Sequence, residues 1–278
     1  MPRPPVEEVR VHRYAGPGGS SAADAVVVEE PLEIRVSGDT VAITMRTPGH
    51  DRELALGFLF AEGIVASLAD VSAVAHCGRT GDEGRENTIE VTPAPGARVD
   101  VDRGAVEARR GTLTTSSCGI CGRRTIEDLL ARAAPLPPGP SVHPGAISAA
   151  GRRLRGEQPT FGRTGGCHGA LLARFDGTVV RTFEDVGRHN AVDKVVGASL
   201  LAGELPLAEH ILLVSGRVSF EIVQKAIVAG IPVVAGVSAA SSLAVETAAR
   251  ANLVLCGFVR GDDLVVYAGG DRVSSDPG

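Results

Sequence analysis

The second half of the chain alternates short apolar runs with longer amphipathic stretches, and this alternation restricts the fold more than any other feature. Apolar runs at 211–214, 232–235 and 253–255 have the length of buried strands, whereas 220–228 and 243–250 have helical spacing. This βαβαβ order predicts parallel strands joined by right-handed crossovers. Only 3% of the residues are aromatic and none is Trp, so aliphatic side chains must fill the core, as is typical of buried parallel sheets.

The neighbouring segments extend this pattern. An Asp-Gly pair at 176–177 between two apolar runs predicts a hairpin. Residues 191–201 have the spacing of a helix, and 264–267 predicts a closing antiparallel strand.

The first half of the chain has a mixed α+β pattern. Alternating runs predict a hairpin between residues 33 and 45, and Asp51 is predicted to be the N-cap of a helix. Strands are predicted at 88–91 and 98–101, and a helix at 125–130.

These patterns predict four regions. Residues 1–20 are expected to be a flexible tail, and 21–134 a smaller N-terminal α+β domain. The Pro/Gly-rich stretch at 135–140 predicts a linker region at 135–160, which is followed by a C-terminal α/β domain at 161–278.

The composition argues against several classes of protein. The formal net charge of −5 gives no overall attraction to nucleic acid or to an anionic membrane surface. No apolar run approaches the roughly 20 residues of a membrane helix, and the first 19 residues lack the apolar core of a signal peptide. We therefore expect a cytoplasmic protein, whose five cysteines serve redox, metal or sulfur chemistry rather than structural disulfides.

Arginine is concentrated in the middle of the chain. Between residues 102 and 163 there are ten Arg against five Asp or Glu, a local excess of five positive charges. The excess fits a patch for an anionic ligand or partner, or a general preference for Arg in a chain with only two Lys.

Small and polar residues follow each of the predicted parallel strands. Ligands of open α/β sheets bind beyond the carboxyl ends of the strands. At these ends Gly lets a ligand come close to the backbone, and Arg can form paired hydrogen bonds with phosphate. The alternative is that these residues only make the tight turns that every βαβ unit needs. The candidate ligand-binding residues are Ser215, Gly216, Arg217, Gly236, Ser238 and Arg260.

The pair Cys118 and Cys121 is the strongest candidate for a reactive centre. The thiolate is the reactive form of cysteine, and the neighbouring Arg123 and Arg124 favour that anion. A Cys-x-x-Cys pair could bind zinc together with two further ligands, act as a thioredoxin-like dithiol, or carry a persulfide. Spacing alone does not select among the three.

A second polar segment lies further along the chain. Cys167 and His168 follow a pair of glycines, and many charged side chains occupy 184–194. His189 and Asp193 are four residues apart, so on a helix the carboxylate could orient the imidazole. The alternative is a capped, salt-bridged entrance to a helix.

Three motifs together resemble the formate dehydrogenase accessory sulfurtransferase family (FdhD/NarQ), from about residue 33 to the C-terminus. The third motif is long and unusual, whereas Cys-x-x-Cys alone would not be specific. The motifs are Ser117-Cys118-Gly119-Ile120-Cys121-Gly122, Thr164-Gly165-Gly166-Cys167-His168 and Glu184-Asp185-Val186-Gly187-Arg188-His189-Asn190-Ala191-Val192-Asp193-Lys194.

The resemblance implies a sulfur carrier between a cysteine desulfurase and the molybdenum cofactor. The cofactor, as molybdenum bis-molybdopterin guanine dinucleotide, would be bound as a substrate and sulfurated before its insertion into formate dehydrogenase. By match to the motif, Cys118 would carry the persulfide and Cys121 would assist transfer or release. The family's cofactor-binding stretch maps onto Phe258, Val259, Arg260, Gly261, Asp262 and Asp263.

The resemblance also implies a cytidine-deaminase-like α/β domain at the C-terminus and a homodimer. Cys167 stands where an apolar residue is expected, which leaves the assignment of Cys118 intact but raises the question of a metal.

Two other functions stay open. One is a non-catalytic chaperone that hands the cofactor to the apoenzyme. The other is a zinc-dependent deaminase or a structural zinc protein, although no His-x-Glu is followed by the Pro-Cys-x-x-Cys of zinc deaminases.

Overall fold

The computed structural model describes residues 3–16, 18–77, 85–97, 99 and 135–274. Its strands are β1 Val6–Ala15, β2 Gly18–Val27, β3 Glu30–Val36, β4 Asp39–Arg46, β5 Val71–His76, β6 Thr88–Pro93, β7 His168–Arg174, β8 Val179–Asp185, β9 His210–Val214, β10 Val233–Gly236, β11 Val254–Arg260 and β12 Asp263–Ala268. Its α-helices are α1 Asp51–Ala61, α2 Pro144–Gly156, α3 Pro159–Thr164, α4 Arg188–Leu201, α5 Phe220–Val228 and α6 Ser242–Arg250.

A six-stranded sheet with the order β12-β11-β10-β9-β7-β8 forms the C-terminal half. Its centre is parallel, with Val233 of β10 opposite Ile211 of β9 on one side and Val254 of β11 on the other. The hairpin β7–β8 and the strand β12 are antiparallel to their neighbours. The predicted βαβαβ unit, hairpin and closing strand are confirmed, and so is the mixed α/β class of the fold.

Both faces of this sheet are buried, which explains the continuous apolar runs of its strands. Alternate residues point to opposite sides, so Leu212 packs under α4, α5 and α6 whereas Leu213 packs under α2. Helix α2 buries Ile147, Ala150 and Leu154 in this second layer.

Helix α2 lies inside 135–160, where the sequence predicts a linker. Pro144 stands at the first helical position, and the imidazole of His143 accepts a hydrogen bond from Gly145 N at 3.0 Å. The Pro/Gly-rich start therefore precedes a well-capped helix that covers one face of the sheet. The structure thus has a helix where the sequence pattern predicts a linker.

A four-stranded sheet with the order β4-β3-β6-β5 forms the N-terminal half, with α1 packed on it. The predicted hairpin and the strand at 88–91 are present as β3–β4 and β6. Asp51 is the first residue of α1 rather than its N-cap, which is His50, because Arg46 binds the Asp51 carboxylate at 3.0 and 3.1 Å.

The two halves meet where α1 crosses α4. A Cβ added to Gly57 would lie 1.9 Å from Asp193 O, and one added to Gly197 would lie 1.9 Å from Glu53 O. The backbones therefore approach closely because both positions are glycine.

Strands β1 and β2 form a separate antiparallel ribbon, from Val6 opposite Val27 to Ala15 opposite Gly18. The sequence predicts a flexible tail over residues 1–20, whereas the structure has this ribbon from Val6 onward. Most of its side chains are exposed, so it lacks the apolar alternation by which strands are predicted.

Among the helices of the described residues, none has the length and apolar character that a membrane span requires. Of the predicted strand at 98–101 the structure describes only Val99, and the predicted helix at 125–130 falls outside the described residues.

Candidate functional site

A cavity of about 570 Å³ opens at the carboxyl ends of the three parallel strands. Ser215 follows β9, Val237 follows β10, and Val259 belongs to the end of β11. The opposite wall is formed by α2, α3 and the turn that leads into β7. The residues that line this wall are Gly151, Arg152, Leu154, Arg155, Gln158, Phe161, Gly165, Gly166, Cys167 and His168. The edge of the sheet that the sequence predicts as a ligand site thus borders a real cavity.

The predicted ligand-binding residues divide into two groups. Those that line the cavity are Ser215, Val259, Arg260 and Gly261. Those that do not line it are Gly216, Arg217, Gly236, Ser238, Phe258, Asp262 and Asp263. Arg217 in particular lies outside the cavity lining. It is an exposed residue of the segment between β9 and α5, whereas the next residue, Val218, is buried.

Residues 258–260 also differ from prediction in their local structure. The sequence predicts a loop here, after the third strand, but β11 continues to Arg260 and only Gly261 and Asp262 make the turn into β12. Phe258 interrupts the ladder with a left-handed φ of 51°, its N–H donates to Ser238 O at 3.1 Å, and the residue is 39% exposed. Left-handed backbone at an aromatic residue is strained, and such strain is concentrated at functional sites.

Packing explains two of the glycines at these strand ends. A Cβ on Gly236 would lie 2.7 Å from a methyl group of Val218, and one on Gly257 would lie 2.8 Å from the Tyr267 ring. Close packing against Val218 is thus sufficient to account for a glycine at position 236 without a ligand.

The cavity is bordered by positive charge. Arg152, Arg155 and Arg260 line it and all three side chains are exposed, so they meet a ligand at its solvent side. Arg152 also pairs with Asp262 across the cavity edge. Guanidinium groups bind phosphate through paired hydrogen bonds, so this border suits an anionic ligand. Arg152 and Arg155 belong to the segment 102–163, in which Arg outnumbers Asp and Glu.

Cys167 lines the cavity as a thiol and not as a thiolate. It is 5% exposed, and its Sγ donates to Glu184 Oε1 at 3.3 Å. Burial and the Glu184 carboxylate raise the pKa of Cys167 well above its ordinary value. Glu184 is itself fixed by the backbone N–H groups of Thr160 and Phe161, at 2.8 and 2.7 Å, at the start of α3.

His168 lies beside Cys167 at the cavity wall and is half-buried. Burial and the positive charge of Arg188 lower the pKa of His168, which favours the neutral imidazole. A neutral imidazole offers one donor and one acceptor to a ligand.

The long charged motif at 184–194 forms a buried network. Asp185 is fully buried, and its carboxylate lies 2.7 Å from Lys194 Nζ and accepts from Asn190 Nδ2 at 3.0 Å. Thr47 N donates to Asp185 at 3.2 Å, and Lys194 Nζ donates to Thr47 O at 3.1 Å. The motif therefore joins the end of β4 to the start of α4. For these residues the structural interpretation of a salt-bridged helix entrance is correct.

His189 and Asp193 do not form the pair that helical spacing suggests. His189 Nε2 lies 3.0 Å from Ser219 Oγ, whereas Asp193 accepts from Lys225 Nζ at 2.6 Å. Burial raises the pKa of Asp193 to about 6 despite the Lys225 charge. The two side chains face different partners on α5 and the turn before it.

Cys118 and Cys121 lie outside the described residues. The other three cysteines have free thiols whose pKa values are raised, chiefly by burial: Cys77, Cys167, and Cys256, whose pKa rises to about 12. Within the described ranges, no group of three or more His, Cys, Asp and Glu side chains is placed to hold a metal ion.

Sequence reasoning missed Gln158 and Phe161, which line the cavity from α3 and the residue before it. The only sequence signal was their position just before the Gly-Gly-Cys-His turn. The sequence pattern places Gln158 in the predicted linker and Phe161 at a predicted turn, because it does not predict the two helices that flank Gln158.

A family profile described as the FdhD/NarQ family matches residues 27–274. A protein named sulfur carrier protein FdhD from Anaeromyxobacter dehalogenans is 54% identical over 261 residues, which cover 92% of this chain and 90% of the relative. A protein of the same name from Streptomyces coelicolor is 46% identical over 273 residues, covering 96% and 95%.

A solved structure has the same fold. The crystal structure of a putative formate dehydrogenase accessory protein from Desulfotalea psychrophila aligns with a TM-score of 0.78 at 23% sequence identity. The alignment covers 98% of this chain and all of that one.

Proposed function

The chain belongs to the FdhD/NarQ family, and we propose that it is a cytoplasmic sulfurtransferase that passes sulfur from a cysteine desulfurase to the molybdenum cofactor, which is then inserted into formate dehydrogenase. In this proposal the protein acts as a homodimer, and the cofactor is a bound substrate in its bis-molybdopterin guanine dinucleotide form.

The observation that carries the proposal is the extent of the similarity. Relatives named as sulfur carriers share 46% to 54% of their residues with this chain over at least nine-tenths of its length. The match to the family profile, over residues 27–274, spans the Cys-x-x-Cys segment, the cavity border and the buried network of Asp185 and Lys194. The raised pKa values of Cys77, Cys167 and Cys256 add support, because these thiols are poor sulfur acceptors at neutral pH.

Uptake of sulfur is a thiol–persulfide exchange at Cys118. The Cys118 thiolate attacks the terminal sulfur of the persulfide on the desulfurase, and the donor's S–S bond breaks. The donor cysteine leaves as a thiolate and Cys118 then holds the persulfide. No net oxidation occurs in this step.

Release of sulfur uses the second cysteine. The Cys121 thiolate attacks the inner sulfur of the Cys118 persulfide, and the terminal sulfur leaves as hydrosulfide, the form in which it reaches the cofactor. A Cys118–Cys121 disulfide stays behind, so the electrons balance. A cellular thiol reductant then returns the pair to its starting state.

The cavity suits the nucleotide part of this substrate. Its volume of about 570 Å³ falls within the range of about 300–1,000 Å³ that is usual for small-ligand sites. Arg152, Arg155 and Arg260 would bind pyrophosphate oxygens, and the strained segment at Phe258 lies in the stretch that the family resemblance assigns to the cofactor. This chain's own contribution is to hold the substrate at the strand ends and to exclude water from its inner part.

The proposal is tested by complementation of a strain that lacks its own member of this family. The wild-type chain should restore formate dehydrogenase activity, and Cys118→Ala should restore none, because no thiol is left at that position to take up sulfur. Cys77→Ala, at a cysteine outside the cavity lining, is the matched control and should restore activity to the wild-type level. Restoration by Cys118→Ala would show that the role given to Cys118 is wrong.

A further inference from the structure

The side chain of Gln158 is the least satisfied polar group at the cavity. It is 5% exposed and lines the cavity, yet its Nε2 has no hydrogen-bond partner among the described residues. A buried amide that makes no hydrogen bond destabilises the fold unless a ligand supplies the acceptor.

The fold holds the Gln158 carboxamide at this position. Gln158 is the N-cap residue of α3, and its carbonyl accepts from Gly162 N at 2.9 Å. A Cβ on Gly169 would lie 2.5 Å from Gln158 Nε2, so the glycine leaves room for the carboxamide against β7. The last torsion of a glutamine is soft, so the amide can turn towards a ligand in the cavity that it lines.

The lining of the cavity changes in character from its border to its interior. The arginines at the border are exposed and charged, whereas Gln158 is buried and neutral. Charged phosphates are best placed where guanidinium groups and solvent are both near, because burial of an ionised group is expensive. A neutral amide in the interior is suited to an uncharged acceptor, such as a ring carbonyl or ring nitrogen.

We infer that Gln158 is a specificity-determining residue that donates a hydrogen bond to an acceptor on the nucleobase of the bound nucleotide, while the arginines at the cavity border hold its phosphates. The inference rests on the proposed function, which makes a guanine nucleotide part of the substrate. Guanine presents O6 and N7 as acceptors on one edge, which matches a side-chain amide donor.

The test is isothermal titration calorimetry of the full chain with two probes, GDP and inorganic pyrophosphate. Gln158→Leu keeps the approximate size of the side chain and removes the donor, so GDP affinity should fall roughly threefold to tenfold, the usual range for one hydrogen bond. Pyrophosphate affinity should not change, because pyrophosphate has no base. Arg155→Ala should weaken both probes.

Ser148→Ala is the matched control. Ser148 lies on α2, is 2% exposed, has an Oγ without a partner among the described residues, and does not line the cavity. Its replacement should leave both affinities unchanged.

Thermal melting of the ligand-free variants separates binding from a structural role. If Gln158 serves the ligand, Gln158→Leu should melt at or above the wild-type temperature, since it removes an unsatisfied buried donor. A variant that unfolds or melts well below wild type would overturn the inference. Equal losses for GDP and pyrophosphate, or no loss for GDP, would also overturn it. Failure of the wild type to bind GDP at all would instead remove the proposed nucleotide site, and the inference with it.

Discussion

The surroundings of each thiol decide whether it can accept sulfur. Cys167 borders the cavity, but its hydrogen bond to Glu184 and its burial hold it in the protonated form. Attack on a persulfide requires a thiolate, so proximity to the cavity does not make Cys167 a carrier. Its thiol instead satisfies a carboxylate oxygen that also accepts from Phe161 N at the start of α3. The sequence singled out Cys167 as a departure from the family pattern, and its bonding explains why a thiol is tolerated there.

Alkylation by iodoacetamide at pH 8 should distinguish the cysteines. We expect Cys167 and Cys256 to be protected in the folded chain and to react in urea, because their raised pKa values and burial both disappear on unfolding. Raising the pH from 7 to 9 should not expose them, since both pKa values stay above that window. Peptide mass spectrometry measures the labelled fraction, and Cys118 in the same sample is the reactive reference. Rapid labelling of Cys167 in the folded protein would contradict the assignment.

The crossing of α1 and α4 sets the distance between the two halves of the fold. Each helix presents a glycine to the backbone of the other, Gly57 to Asp193 O and Gly197 to Glu53 O. Contact at 1.9 Å with a carbonyl oxygen cannot be relieved by a side-chain rotation, since the obstructing atom belongs to a helix backbone. The helices would have to separate, which would also disturb the Asp193–Lys225 pair beside them.

Gly57→Ala should therefore destabilise the protein by about 3 kcal/mol or more, at the upper end of overpacking costs. Urea denaturation followed by circular dichroism gives the free energy of unfolding. Gly156→Ala, at the end of α2, is the matched control, because its added Cβ meets nothing within 4 Å. That control should be neutral or slightly stabilising. A Gly57→Ala protein as stable as the control would show that the two helices are not packed at this distance.

The elements that could be predicted from sequence are those with a clear hydrophobic period. The parallel strands and α5 were predictable because burial on both sides leaves continuous apolar runs. Helix α2 was missed because most of its buried residues are small, namely Ala146, Ser148 and Ala150, and because prolines precede it. The ribbon β1–β2 was missed because few of its side chains are buried. The cavity edge was predictable from the topology, and Arg260 lines it as predicted, whereas Arg217 does not. Arg152 and Arg155 were not predictable as lining residues because they lie on α2, which the sequence pattern did not predict.

At the scale of the whole molecule, one buried network holds the two sheets together. Asp185 at the end of β8 binds Lys194 on α4, and both contact the backbone of Thr47, which follows β4. Neither charged group has solvent to stabilise it, so each depends on the other. The same end of β8 carries Glu184, which fixes α3 and Cys167 at the cavity wall. The longest family motif, at 184–194, thus stabilises the part of the cavity wall that α3 and Cys167 form.

Lys194→Met should cost roughly 3–5 kcal/mol of stability, because it leaves the Asp185 carboxylate buried without its partner. The double variant Lys194→Met with Asp185→Asn should be less destabilised than the sum of the two single changes. Chemical denaturation of all four proteins completes the double-mutant cycle. Arg153→Met, which removes only the exposed pair with Glu157, should change stability by less than about 1 kcal/mol. Additive effects of Lys194→Met and Asp185→Asn would contradict the coupling.

The most direct test of the account is the fate of sulfur on the protein itself. The chain is incubated with a cysteine desulfurase and cysteine, without reductant, and its peptides are mapped by mass spectrometry with fragmentation between Cys118 and Cys121. We predict a mass gain of one sulfur atom on Cys118 in Cys121→Ala, which has no second thiol to release the sulfur, and a Cys118–Cys121 disulfide in the wild-type chain. We predict no gain at Cys167, and no gain at all on the peptide that contains position 118 in Cys118→Ala. An unmodified Cys118 beside a persulfide-bearing desulfurase, or sulfur bound at Cys167 instead, would contradict the central claim.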